Sequence, residues 1–194
     1  MIQDPPSKKI LPWKVLSSKE LFRAGFFVLR TDRCELPDAR VMPNYYVFDF
    51  KDWVNVIALT KQNEVILVEQ YRHAVEEVAL EIPGGSSDPM DLKDYQKAAE
   101  RELLEETGYR PKKCIYLGKH RPNPAMQNNW MHSFLALDCE KVADQNLDAF
   151  EDILVLKVPV REVYDMVFQA KINHSIVVAS MMLAYPHLKS LIEK

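Results

Sequence analysis

Cysteine is scarce in this chain, and the few residues present are badly placed for either of their usual collective uses. Cys34, Cys114 and Cys139 are the only three, widely spaced and with no CxxC pair. A disulfide framework and a zinc site are both poor readings of such a set. Free thiols, buried or partly buried in a reducing compartment, are the expectation. Long runs of lysine or arginine are also missing, and the formal net charge is -3. That disfavours duplex DNA binding driven by phosphate neutralisation, so no nucleic-acid partner is expected. The opening segment MIQDPPSKKI has no apolar core of the kind a signal peptide carries. No stretch reads as the roughly 18 apolar residues of a membrane span. A cytoplasmic protein with no membrane partner is therefore expected. Internal repeats and low-complexity segments are absent as well.

What the sequence does contain is the material of a core. Of its 194 residues, 47% are hydrophobic and 27% charged, enough for one compact domain with a small N-terminal addition. The polar residues 1–12 read as a tail. From Trp13 to Phe50 the pattern is strand-like, richest in Ala24–Arg30 and Tyr45–Phe50. Val54–Leu59 and Glu64–Glu69 flank a turn at Lys61-Gln62-Asn63 and read as a hairpin. Ile82-Pro83-Gly84-Gly85 opens a loop, and Ser86-Ser87-Asp88-Pro89 continues it with helix-capping chemistry. A helix is predicted over Leu92–Thr107, closed by Gly108. Strands follow at Cys114–Gly118, Met131–Leu137 and Ile153–Val158, with a polar loop at Asp138–Phe150. Helices over Arg161–Ala170 and Ser175–Leu188 finish the chain. Strands mixed with a few helices predict an α/β chain whose sheet lies between helices.

Chemistry concentrates in the first helix. Glu102, Glu105 and Glu106 stand at i, i+3 and i+4 and share one face. Like charges at this spacing oppose folding unless a cation joins them, and hard oxygen ligands suit magnesium or manganese. From these glutamates alone, a solvated acidic face is the commoner outcome. Arg101 lies four residues before Glu105 and can hold a carboxylate by paired hydrogen bonds. Leu103, Leu104, Ala98 and Ala99 point elsewhere and can pack on a sheet. Gly84 and Gly85 allow close backbone approach, so a carbonyl there could reach the same metal.

Glu81-Ile82-Pro83-Gly84-Gly85, a spacer, and then Ala98 to Tyr109 together resemble the signature of the Nudix family, G-x5-E-x7-R-E-u-x-E-E-x-G-u. The second half matches at every specified position. The first half departs: counting back from Arg101 puts the glycine at Ser87 and the glutamate at Lys93, while counting forward from Gly85 reaches Asp91. A two-residue insertion before the helix accounts for the offset, with Asp91 or Asp94 standing in for the absent acid.

The resemblance extends over about residues 13–187. Glu69-Gln70-Tyr71-Arg72-His73, Pro122-Asn123-Pro124-Ala125 and Lys171-Ile172-Asn173-His174-Ser175 are similar to segments of the branch that hydrolyses ADP-ribose and other nucleoside diphosphate sugars. That resemblance implies an α/β/α sandwich with a mixed sheet over residues 51–194. Residues 1–50 would form an antiparallel β region that crosses to a partner in a homodimer. It implies attack of water on the diphosphate, giving AMP and ribose 5-phosphate from ADP-ribose. Glu102, Glu105, Glu106 and the Gly84–Gly85 bend would hold one to three Mg2+ or Mn2+ ions. Arg101 would support them, and Arg72, Glu81 and Pro124 would meet the substrate. Glu151 would serve as base or extra metal ligand, with Asp148 and Asp152 as neighbours, and an ordinary loop acid is the competing reading.

Several residues stay open. Phe26 and Phe27 read first as strand core, with stacking on a base as the alternative. The Asn123, Gln127, Asn128, Asn129 cluster suits either sugar hydroxyls or loop capping. His73, His120 and His132 lack metal-ligand spacing and read as structural or exposed. GDP-mannose or another sugar nucleotide, a silent nucleotide sensor and a purely structural dimer module are the competing functions. The retained glutamates weigh against the last two.

Overall fold

A computed structural model of the protein describes residues 9–87 and 94–193. The expected tail up to residue 8, the capping residues Asp88 and Pro89, the stand-in Asp91 and the helix start at Leu92 lie outside the described residues. The chain separates into two units. One takes in the chain up to Phe50 together with Asn123–Asn128, and the other holds Lys51–Pro122 and Asn129 onwards.

In the first unit, β1 (Lys14–Arg23), β2 (Phe27–Glu35) and β3 (Val41–Phe50) form an antiparallel sheet in the order β1-β2-β3. Aromatic and β-branched residues at strand spacing favour this pairing. Phe27 packs among Phe22, Phe48 and Phe50, with ring centroids 5.5–6.0 Å away. Phe26 precedes β2 and is exposed, which corrects its reading as strand core: it lies beyond the first paired residue, so the sheet gives it no face to fill. The segment Asn123–Asn128 closes on itself through Asn123, whose carbonyl accepts from the Met126 and Gln127 amides. Asn128 accepts from the Phe50 amide and donates to Asp49, so of the amide cluster the Asn128 side chain fastens this loop.

The second unit carries an eight-stranded mixed sheet. Its strands are β4 (Trp53–Thr60), β5 (Glu64–Arg72), β6 (Glu77–Glu81), β7 (Gly84–Ser86), β8 (Tyr109–Arg110), β9 (Lys113–His120), β10 (Met131–Lys141) and β11 (Leu154–Pro159). The path runs β11-β5-β4-β10-β8, with β6 on β5, β7 on β4 and β9 on β10. Among the described residues, only the β4–β10 pair of this sheet is parallel. Among the described residues, three helices complete the unit: α1 (Tyr95–Thr107), α2 (Val160–Phe168) and α3 (Ser175–Ile192).

Strand alternation builds two cores. Val54, Val56 and Ala58 of β4, with Ile66, Phe134 and Ala136, face Ala98, Ala99 and Leu103 of α1. Ile57 and Leu59, with Val65, Leu67 and Leu135, face α2 and α3 through Val163, Tyr164, Val177, Met181, Ala184 and Leu188. β4 and β5 are apolar on both faces because both faces are covered, and the result is the α/β/α sandwich the sequence predicts.

Several boundaries move. β7 arises where a loop is expected, because pairing with β4 recruits glycines whose own strand preference is weak, and β6 forms on β5 over residues for which no element is expected. β10 continues to Lys141 across a register shift between Ala136 and Cys139, shortening the polar loop. α3 runs to Ile192, and its 18 residues have the length and hydropathy of a membrane span, against the expectation that no stretch would. Its buried stripe is spent on the sandwich core. Cys34 and Cys139 are buried and Cys114 half-buried, all as free thiols. Burial pushes Cys114 up to about 11 and Cys139 to about 12, so both stay protonated.

Candidate functional site

α1 is positioned from both ends. The Asp94 carboxylate accepts from the Lys97 amide and caps the first turn, so Asp94 serves as N-cap. At the other end Gly108 takes φ 76 and donates to the Leu104 carbonyl. With Ala98, Ala99 and Leu103 sealed against the sheet, the acidic residues turn toward β7.

That strand is held on β4 by Asn55 opposite Gly84 and Val54 opposite Gly85. Backbone space requires glycine at 84, whereas at 85 a side chain would have to displace the Glu102 carboxylate. A Cβ on Gly84 would come within 2.4 Å of the Val54 carbonyl oxygen, and one on Gly85 within 2.6 Å of the Glu102 carboxylate. The Gly84 amide donates to Glu106 Oε2 over 3.1 Å. The glycine bend and two of the three box glutamates are therefore in direct contact.

Arg101 reaches Glu105 at 2.8 Å and Glu102 at 3.0 Å, as its spacing predicts for Glu105. Glu106 is 4% exposed. Burial, then the charge of Glu102, raises its carboxyl to about 8 despite the Gly84 hydrogen bond. Burial raises Glu102 to about 7 against the pull of Arg101, with the Glu105 charge adding to the rise. Among the described residues, no three acid, histidine or cysteine side chains converge on one point as placed. Glu105 is drawn instead to Arg101. The donor set nevertheless suits a hard cation: a buried and a half-buried carboxylate repel each other beside a glycine backbone, with too little positive charge to keep both ionised.

Glu151 lies in the exposed loop before β11, where its carboxylate accepts from the Asp148 amide. Its charge adds to the upward shift of both Glu102 and Glu106. The sequence-predicted acids thus share one electrostatic neighbourhood, with Glu151 at its solvent edge.

Beside this cluster opens a cavity of about 710 Å³, lined in part by Trp53, Arg72, Glu81, Gly84, Gly85 and His174. Arg72, at the end of β5, donates from Nε and Nη2 to the two carboxylate oxygens of Glu81, at 2.8 and 2.6 Å. Glu81 is itself 4% exposed. Burial alone would push its pKa up, but Arg72 and then His174 outweigh that and hold it at about 2. Glu81 therefore lines the cavity with both oxygens already occupied, while Arg72 keeps an exposed guanidinium edge. Pro124 is exposed and belongs to the other unit.

In the sequence His174 stands out only as part of the Lys171–Ser175 run. Its Nδ1 lies 3.4 Å from Glu81 Oε2. A histidine immediately before an apolar helix was the available signal. His132 and His120, read as structural, are placed so: His132 stacks on Tyr95 at 3.6 Å, and His120 joins a polar network with Ser133 and Ser180.

An α/β/α sandwich in which an acidic helix abuts a glycine bend, with a fixed arginine in the neighbouring cavity, defines a class of enzymes built to handle anionic groups. Comparison with known proteins makes the class particular. Residues 50–179 match the model of the NUDIX domain, and the chain belongs to the Nudix hydrolase family. Residues 13–48 match the nucleoside diphosphate sugar hydrolase N-terminal domain. The chain is 30% identical over 151 residues to a methanol dehydrogenase activator of Bacillus methanolicus, covering 76% of this chain and 80% of that protein. It is 29% identical over 167 residues to an ADP-ribose pyrophosphatase of Bacillus subtilis, covering 81% and 89%. The crystal structure of an ADP compounds hydrolase superposes with a TM-score of 0.81 at 21% identity, over 95% of this chain and 98% of that one.

Proposed function

We propose that this Nudix hydrolase cleaves the diphosphate bridge of a nucleoside diphosphate sugar, with ADP-ribose the first candidate. Water adds to one phosphorus, the bridging P–O bond breaks, and AMP and ribose 5-phosphate leave. The observation that carries the reading is Arg72, fixed on Glu81 within a cavity whose wall includes Gly84 and Gly85, the two glycines that Glu106 and Glu102 lie against.

Arg72 would meet a phosphate oxygen without reorienting, since its pairing with Glu81 already holds the guanidinium plane. Glu102, Glu105, Glu106 and the backbone of Gly84 and Gly85 would hold Mg2+ or Mn2+, which offsets the charge building on the phosphates. Arg101 keeps Glu102 and Glu105 together against their repulsion. Glu151 takes the proton of the attacking water, a role its exposed place beside the acidic cluster supports. Pro124 belongs to a loop proposed to border the substrate. The two bacillus relatives carry different names, so family membership leaves base and sugar preference open. GDP-mannose is the alternative substrate.

The N-terminal match and the exposed apolar side chains of β1 to β3 support a homodimer built through residues 1–50. Three free thiols support a reducing, cytoplasmic setting.

A panel of nucleoside diphosphate sugars with magnesium or manganese, read by phosphate release after phosphatase coupling, tests the reading. ADP-ribose should yield AMP. Glu106→Gln should lose activity by orders of magnitude while keeping its circular dichroism spectrum. Full activity in that variant would remove the glutamates from the site, and no turnover of any panel member would leave a binding role.

A further inference from the structure

His174 occupies a place that no part of the proposed chemistry uses. It precedes α3 as the N-cap residue, yet makes no side-chain capping bond. Its ring lines the same cavity as Arg72 and Glu81. The Nδ1 atom is buried without a hydrogen-bond partner of good geometry, and the acceptor beside it is Glu81 Oε2 at 3.4 Å. The side chain as a whole is 38% exposed. The buried edge of the ring therefore faces Glu81, and the exposed edge belongs to the cavity.

This asymmetry decides which nitrogen carries the proton in a neutral ring. Glu81 is ionised at neutral pH. A lone pair on Nδ1 turned toward its carboxylate would be repulsive, whereas an N–H there is attracted. The hydrogen accordingly resides on Nδ1, and Nε2 keeps its lone pair. A cavity that already has Arg72 as a donor for phosphate gains in Nε2 an acceptor that phosphate cannot use. The matching partner is an O–H group. Asn173 and Ser175, polar and exposed, flank His174 on the same wall.

We propose that His174, its tautomer set by Glu81, accepts a hydrogen bond from a sugar hydroxyl next to the phosphate held by Arg72, and so selects phosphorylated sugars over simple phosphoesters. The proposal rests on reading the cavity as a sugar nucleotide site. It adds that Glu81 serves two recognition elements at once, the guanidinium for the anion and the imidazole for the hydroxyl. Such an acceptor discriminates by what it leaves unpaired: a ligand without the hydroxyl strands Nε2 against it.

Two probes of equal charge separate the roles: ribose 5-phosphate, which carries hydroxyls, and methyl phosphate, which has none. Calorimetric titration of the full chain in EDTA, without any turnover, compares the wild type with His174→Asn and Arg72→Ala. Asparagine retains a donor near the Nδ1 position and lacks the Nε2 acceptor. His174→Asn should weaken ribose 5-phosphate by about 3- to 10-fold, the worth of one neutral hydrogen bond, and leave methyl phosphate unchanged. Arg72→Ala should weaken both. Thermal unfolding of His174→Asn should match the wild type, because the link to Glu81 remains. Equal loss of both ligands, no loss of either, or a wild type that fails to prefer ribose 5-phosphate would each overturn the proposal. Failure of the hydrolase reading shows separately, in wild-type turnover of ADP-ribose with magnesium. A chain that binds ribose 5-phosphate through His174 without cleaving ADP-ribose would keep this inference and lose the other.

Discussion

Glu81 holds its charge because Arg72 and His174 surround it, and the stability it supplies should follow pH accordingly. Its folded pKa, about 2, is below the 4.5 of a free glutamate. A depressed acid stabilises the fold above its unfolded value, and the contribution is lost as pH falls toward the folded one. The window is therefore about 4.5 down to 2, and the shift corresponds to roughly 3–3.5 kcal/mol as an upper bound. Urea unfolding of the wild type and Glu81→Gln should show the largest gap at pH 6 and a shrinking one by pH 3. A gap that is constant across that range would mean that Glu81 does not titrate as placed. Gly85 yields a second expectation at this scale. A Cβ there would press on the Glu102 carboxylate at 2.6 Å, so Gly85→Ala should cut turnover at least tenfold with little change in unfolding midpoint. Wild-type turnover in that variant would separate the bend from the chemistry. The glutamates and Arg101 were legible in the sequence because helical spacing alone puts them on one face. The Arg72–Glu81 pair and His174 were not. Their meeting depends on the β5–β6 register and on where α3 begins, and neither can be read from local pattern.

α1 was predicted with its closing glycine correctly placed, since apolar periodicity and a C′ glycine are both local signals. The short strands β6 and β7 were missed for the opposite reason. Gly84-Gly85-Ser86 has no strand preference of its own, and only the neighbouring β4 backbone makes it a strand. Gly108 ties the end of α1 to the chain beyond β10. Its carbonyl accepts from the Val142 and Ala143 amides, and a Cβ on it would lie 2.1 Å from the Ala143 carbonyl oxygen. The left-handed φ of 76° adds a conformational cost for any other residue. Gly108→Ala should therefore lower stability by about 1–3 kcal/mol, measured by urea unfolding at neutral pH. Less than about 0.5 kcal/mol, the level of an ordinary surface change, would show that this turn relaxes freely.

At the scale of the whole molecule, the N-terminal sheet presents more apolar surface than three strands can cover. Phe22 is 56% and Phe26 67% exposed, and Val15, Leu21 and Tyr46 are exposed beside them in the same unit. Scattered apolar residues need no explanation, but several large ones in one small unit are what the proposed homodimer would remove from water. Burying such side chains is worth roughly 1.5–3 kcal/mol each, so a few of them offset the entropy lost on association. The sandwich needs no such help, because helices cover both faces of its sheet. Sedimentation equilibrium at micromolar concentration should thus give twice the chain mass. Replacing Phe22 and Phe26 together by lysine should shift the chain toward monomer while leaving circular dichroism unchanged, since both side chains are solvent-exposed within the chain. A monomeric wild type would reject the homodimer. A double variant that stays dimeric would move the interface away from these two residues, and the exposure of Phe26 would then need another use, for which stacking on a nucleobase is the alternative its ring permits.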